Sequence, residues 1–302
     1  MTEYKAWCEK IKVLPVDLPG AKLDSANKVK VIILEDGEAV LLKIIRPEVC
    51  YVPRIKALGE IAYALFDWYL DTENRVTPNV YATSPTEIWR QFIPGLTGET
   101  WRGHLYEREG ALEAADLMII DCILKSQSAQ RIALLDFIFL CQDRSANNWL
   151  KSNKGFYAID NVMFWPYKGR FADKLTMETG RVAHLSPPMN ALVSTDSKFS
   201  FRIGIFSSLY AGRKISDSLL AWLSQIDWPQ YLDDLGQLGC KPLGYSQALI
   251  ADWRFAQIKS RVKWLLRKGC FPNGKGRDND GWRDLIGKPQ KGAEVWQREW
   301  EI

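Results

Sequence analysis

Asp143, Asn148 five positions later and Asp160 twelve beyond that fall within one short stretch, Leu134-Leu135-Asp136 through Gln142-Asp143-Arg144-Ser145-Ala146-Asn147-Asn148 to Ala158-Ile159-Asp160-Asn161. Aspartate and asparagine oxygens are hard ligands that suit Mg²⁺, an ion that keeps several waters and takes its remaining ligands from substrate phosphates. Phosphoryl transfer needs such a set: an acid to orient the attacking hydroxyl, an amide and an acid on the metal, and a cation on the nucleotide phosphates. Lys43, in Val40-Leu41-Leu42-Lys43-Ile44, offers the cation. An ammonium among apolar neighbours is costly to bury unless an anion faces it, and nucleotide phosphates or Glu60 could supply one.

Particular elements must hold these side chains. An apolar helical repeat from Ala129 to Cys141 leads into the polar loop that carries Asp143. A short strand pair turning near Lys154-Gly155 then delivers Asp160 at the end of its second strand. Earlier, the alternation from Lys28 to Ile45 around Glu35-Asp36-Gly37-Glu38 predicts a hairpin that places Lys43 in a strand. The apolar spacing from Arg54 to Asp71 predicts a helix with Glu60 near the edge of its buried stripe. Val80-Tyr81-Ala82 and Ile88 to Ile93 read as strands, ended by Pro94-Gly95. Pro19 to Asn27 is small and polar, the composition of a turn or a loop that touches phosphate. After Thr100 the pattern turns helical, over about 109–125, 129–141, 216–226 and 246–268, with Gly269 as a C-cap.

The helix, Asp143-Arg144, Asn148 and Ile159-Asp160 together resemble the atypical kinases grouped around the phosphatidylinositol 3-/4-kinases, the actin-fragmin kinase and the HipA-type bacterial kinases. The likeness runs from about Gly20 to Phe164. It implies an α+β, two-lobed protein kinase-like fold: a small β-rich lobe over residues 1–93 and a mainly helical lobe over 94–302, with ATP and Mg²⁺ between them. By the same resemblance Asp143 is the catalytic-loop acid, Asn148 and Asp160 hold metal, and Lys43 binds the α/β-phosphates with Glu60 behind it. Gln91-Phe92-Ile93 would be the hinge against adenine, and Ser25 and Asn27 would contact phosphate from the loop above. Asp136, which matches an acidic position of the family, would be a structural carboxylate that fixes the catalytic loop, or a group that simply caps or salt-bridges nearby. Ser145 departs from the pattern, standing where those relatives usually have His.

The implied activity is transfer of the γ-phosphate to a Ser or Thr hydroxyl of a protein substrate. A nucleotide-binding pseudokinase scaffold, a nucleotidyl transferase and a small-molecule or lipid kinase stay open as alternatives. Plainer readings exist residue by residue: Lys43 as an edge-strand lysine reaching solvent, Glu60 on a solvated helix face, Ser25 and Asn27 in an ordinary turn. Composition narrows the field. The 302 residues are 47% hydrophobic, and 40 basic against 36 acidic residues leave a mixed net charge of +4, which gives no nucleic-acid signature. Two histidines and scattered cysteines argue against a zinc site. The basic run Lys259 to Lys268 reads as a helix whose last turn favours cations. No apolar stretch is long enough to span a bilayer, Met1 to Lys5 does not read as a signal peptide, and the expectation is a cytoplasmic protein.

Overall fold

The computed structural model describes residues 1–23, 28–45, 53–102, 114–139, 141, 144, 146–161, 205–210, 212–244 and 253–271. It is a mixed α+β chain built on a five-stranded antiparallel sheet. Helix α1 (Thr2–Lys12) precedes strands β1 (Ala21–Leu23), β2 (Lys28–Ile33) and β3 (Ala39–Ile44), then helix α2 (Pro53–Leu70) and strands β4 (Val80–Ser84) and β5 (Glu87–Gln91). The sheet order is β1-β2-β3-β5-β4, which makes β3 the central strand. Lys43 therefore lies mid-sheet, opposite Val29 on one side and Ile88 on the other. An edge position with a path to solvent is ruled out.

The expected hairpin forms with Asp36-Gly37 at its tip, and Leu34 N–H donates to Glu38 O at 2.9 Å. Helix α1, whose spacing of Tyr4, Trp7, Cys8 and Ile11 is a plain helical repeat that the reading above leaves unused, clamps this tip. Trp7 Nε1 donates to Glu38 Oε1 at 2.9 Å, Lys10 Nζ reaches Asp36 and Glu38 at 2.5 and 2.7 Å, and Tyr4 OH donates to Val80 O at 2.5 Å. Ala21-Lys22-Leu23, expected in a loop, is the edge strand instead. The open edge of β2 offers unpaired backbone groups, and even this polar segment satisfies them by pairing Lys22 with Lys30.

A second, three-stranded sheet follows: β6 (Leu96–Thr97), then, after α3 (Gly98–Arg102), α4 (Ala114–Leu124) and α5 (Gln127–Phe139), the pair β7 (Trp149–Ser152) and β8 (Gly155–Ala158). The turn before β8 needs Gly155, with φ +138° and a Cβ position only 2.7 Å from Ser128 Oγ. That hydroxyl accepts the Phe156 N–H at 2.9 Å, so the turn is seated on the start of α5. Helices α6 (Ile205–Tyr210), α7 (Asp217–Ser224), α8 (Trp228–Leu235), continued by a π-helical turn over Gly236–Cys240, and α9 (Trp253–Lys268) follow. Of these the sequence reading lacked α6 and α8. Gly269 caps α9 as expected, at φ +65° with its N–H on Leu265 O.

Helix α2 is the axis of the molecule, buried from Ala57 to Phe66. Its Asp67, wholly inaccessible, holds α5 in place: Oδ1 accepts from Arg131 Nε at 2.5 Å, while Oδ2 accepts the Val76 and Thr77 N–H groups at 2.8 and 3.0 Å. Breaking a buried pair strands a desolvated charge. Asp67→Ala is expected to lower stability by about 3–5 kcal/mol. A shift of the urea midpoint worth under about 1 kcal/mol would contradict this account of how α2 and α5 are joined.

Candidate functional site

Four elements meet at one charged cluster. Lys43 comes from β3, Lys56 and Glu60 from successive turns of α2, Arg90 from β5, and Asp160 from just past β8. The register sets Arg90 opposite Leu41 and Ile88 opposite Lys43, so Arg90 and Lys43 point from the same sheet face. Lys43 Nζ lies 2.5 Å from Asp160 Oδ1 and 3.7 Å from Glu60 Oε1. Lys56 Nζ is 3.1 Å and Arg90 Nη2 is 3.4 Å from the same Asp160 oxygen, and Arg90 also bonds Glu60 Oε2. Glu60 is 1% exposed and Lys43 3%, so neither is the solvated group the plainer readings allowed.

Burial and neighbours divide the charges unevenly. Loss of water pushes the Lys43 ammonium down to about 8, with Arg90 adding repulsion that Glu60 and Asp160 only partly offset. Lys56 is held above its usual value: burial opposes its charge, but Asp160 and Glu60 outweigh that cost. Burial alone would raise the Asp160 carboxyl, yet Lys43, Lys56 and Arg90 together hold it well below the ordinary carboxylate range. Its backbone sits at φ +53°, a left-handed conformation that Asp tolerates better than most residues and that turns the chain sharply after β8.

A second network fixes the approach to Asp160. Arg144 directs Nη2 and Nε at Asp136, at 2.8 Å to Oδ1 and 3.1 Å to Oδ2, and Tyr63 OH of α2 donates to Asp136 at 2.8 Å. Its Nη1 donates to Asn148 O at 2.5 Å and to Ile159 O at 2.8 Å, and Nη2 also reaches Asn161 Oδ1 at 2.5 Å. One planar guanidinium thus ties the end of α5, the turn carrying Asn148 and both residues flanking Asp160. Asp136 pairs with Arg144, eight positions along the chain, which is the nearby salt bridge that its plainer reading allows. Asn148 is buried, and its carbonyl accepts the Ile159 N–H at 3.0 Å, which sets it beside the residue preceding Asp160. Asp143 and Ser145, on either side of Arg144, lie outside the described residues, as do Ser25, Asn27, His104 and His184.

Gln91 ends β5, and Phe92 and Ile93 follow it. Gln91 N–H donates to Asn79 O and Phe92 N–H to Ala39 O, at 2.9 and 3.1 Å, so two of the three hinge candidates spend their backbone donors within the sheet. A polar cavity lined by Arg75, Ser126, Arg131, Tyr157 and Trp222 contains none of the candidate catalytic, nucleotide-binding or metal-binding residues. Among the described residues no group of three or more His, Cys, Asp or Glu side chains could hold a metal. No helix among them is long and apolar enough to cross a membrane.

Lys56 and Arg90 are the members of the cluster that sequence reasoning missed. Lys56 precedes Glu60 by four positions, one helical turn, and that spacing was readable; Arg90 could be placed only once strand register was known. Searched against models of known families and against curated proteins, the chain matches none. The Arg144 network makes a prediction that does not depend on any activity. Arg144→Lys keeps the charge but lacks the planar fork, and is expected to cost about 3 kcal/mol or more, close to Arg144→Ala. Denaturant titration of both variants checks it; wild-type stability in the lysine variant would show that charge alone suffices.

Proposed function

We propose that this chain is a phosphotransferase of two-lobed, kinase-like architecture, using ATP and Mg²⁺ to phosphorylate a Ser or Thr hydroxyl of a protein. The observation that carries the reading is the meeting of Lys43, Glu60 and Asp160, residues from a central strand, a buried helix and a post-strand turn. The resemblance gives Lys43 and Glu60 as an ion pair and Asp160 as a metal ligand, and their meeting across 117 positions of sequence supports one shared site. In the proposed division, residues 1–93 bring the sheet, Lys43 and Glu60, and residues 94–302 bring the loop and Asp160. The protein acceptor is carried by the resemblance to the actin-fragmin and HipA-type kinases.

Each residue has a definite task in this scheme. Lys43 holds the α/β-phosphates, and Glu60 keeps its ammonium in line. Gln91, Phe92 and Ile93 edge the adenine site. Asp143 orients the acceptor hydroxyl and takes up its proton as transfer proceeds. Asn148 and Asp160 fit a hard cation. The donors are oxygens, the kind of ligand such an ion takes, and Asp160 keeps about a quarter of its side chain exposed. Bound there, Mg²⁺ would offset the negative charge of the phosphates.

One observation favours a second reading, a nucleotide-binding scaffold without turnover. Three protein cations already surround Asp160, and Ser145 replaces the histidine usual in the resembling kinases. Incubation with ATP labelled on the α- or the γ-phosphate separates the possibilities. Label from γ alone, absent with Asp143→Asn and Asp160→Ala, is the expected result. Asp143→Asn should retain nucleotide binding, whereas label from α would indicate nucleotidyl transfer and no label from either would favour the scaffold.

A further inference from the structure

Three cations and two carboxylates make up the cluster among the described residues: Lys43, Lys56 and Arg90 against Glu60 and Asp160. Four of these five side chains are at least four-fifths buried, and a surplus buried cation is expensive unless an anion answers it. The shortage shows in the geometry. Asp160 Oδ1 lies within ion-pair distance of all three cations, while the buried Glu60 Oε1 makes no hydrogen bond among the described residues and lies 3.7 Å from Lys43 Nζ. A fixed set of cations facing so little negative charge is built for a further anion.

Lys56 is the member able to turn to it. Lys56 and Asp160 are the most exposed of the five, at 17% and 24%, so the cluster opens to solvent on their side. Arg90 and Lys43 are anchored in adjacent strands, but Lys56 hangs from α2 on four rotatable bonds and can leave Asp160 without moving the backbone. Resting on the proposed function, we infer that Lys56 is a second phosphate-binding lysine, and that with Lys43 and Arg90 it lets the chain hold a nucleoside polyphosphate without a divalent cation. When the phosphate chain enters, Lys56 swings from Asp160 to its oxygens, and Lys43 and Arg90 remain beside the carboxylate. No covalent change is involved.

The test measures binding of ATP, and separately of inorganic tripolyphosphate, to the full chain in EDTA by calorimetry, alongside Lys56→Gln and Lys56→Arg. Wild type should bind both probes. Lys56→Gln should weaken both by about tenfold or more, the worth of one charge-assisted hydrogen bond, while Lys56→Arg stays within about threefold. Circular dichroism and unfolding midpoints confirm that the variants are folded. Should Lys56→Gln misfold, metal-free binding by wild type and its retention in Lys56→Arg decide the matter. If wild type binds ATP only with Mg²⁺, or folded Lys56→Gln binds as wild type does, the inference is overturned and the phosphotransferase reading stands. If wild type binds neither ATP nor ATP with Mg²⁺, both fall together.

Discussion

The structure turns on one shared oxygen. Asp160 Oδ1 is within ion-pair distance of cations from β3, α2 and β5, so a residue just past β8 joins the five-stranded sheet to the helix beside it. The interaction is not cheap, because each partner has lost most of its water. It persists because the alternative is worse: without Asp160, the cations Lys43, Lys56 and Arg90 would have only Glu60 among the described residues of the cluster. The left-handed backbone at Asp160 belongs to the same arrangement, since strain of that kind survives only where the surroundings fix it.

Around that point the chain uses buried ion pairs as joints. Asp67 with Arg131 fastens α2 to α5, and Asp136 with Arg144 fastens α5 to the segments carrying Asn148 and Asp160. Apolar side chains would hold these elements together as strongly or more so, but with less control over rotation and register. Arg144 illustrates the gain, since its donors meet a carboxylate, two backbone carbonyls and an amide oxygen whose positions become mutually fixed. A site that must place charges to within fractions of an ångström benefits from such directional contacts.

Local signals served the sequence reading well. The hairpin at Asp36-Gly37, helix α2, the turn at Gly155 and the cap at Gly269 all follow from periodicity and turn chemistry, and each is present. What failed was of two kinds. Helix α1 has a clear repeat and was passed over, whereas β1 has no sequence signal because it forms only where a neighbouring strand leaves an open edge. In the site, Lys43 and Glu60 were legible as an ion looking for a partner, but Arg90 was hidden in a strand whose register nothing local determines. The depth of Glu60 was misjudged for a related reason: a helix packed on several sides has no sharp edge to its buried stripe.

The position of Asp160 along the chain also bears on how the molecule is made. During synthesis the amino-terminal half emerges first, and domains begin to organise as they emerge. Lys43, Lys56, Glu60 and Arg90 are then all present while the carboxylate that reconciles their charges is still to come, some 70 residues after Arg90. Until β8 is in place the nascent sheet and helix carry mutually repelling cations at their interface. A product that ended before β8 would keep these cations without the carboxylate that they share among the described residues.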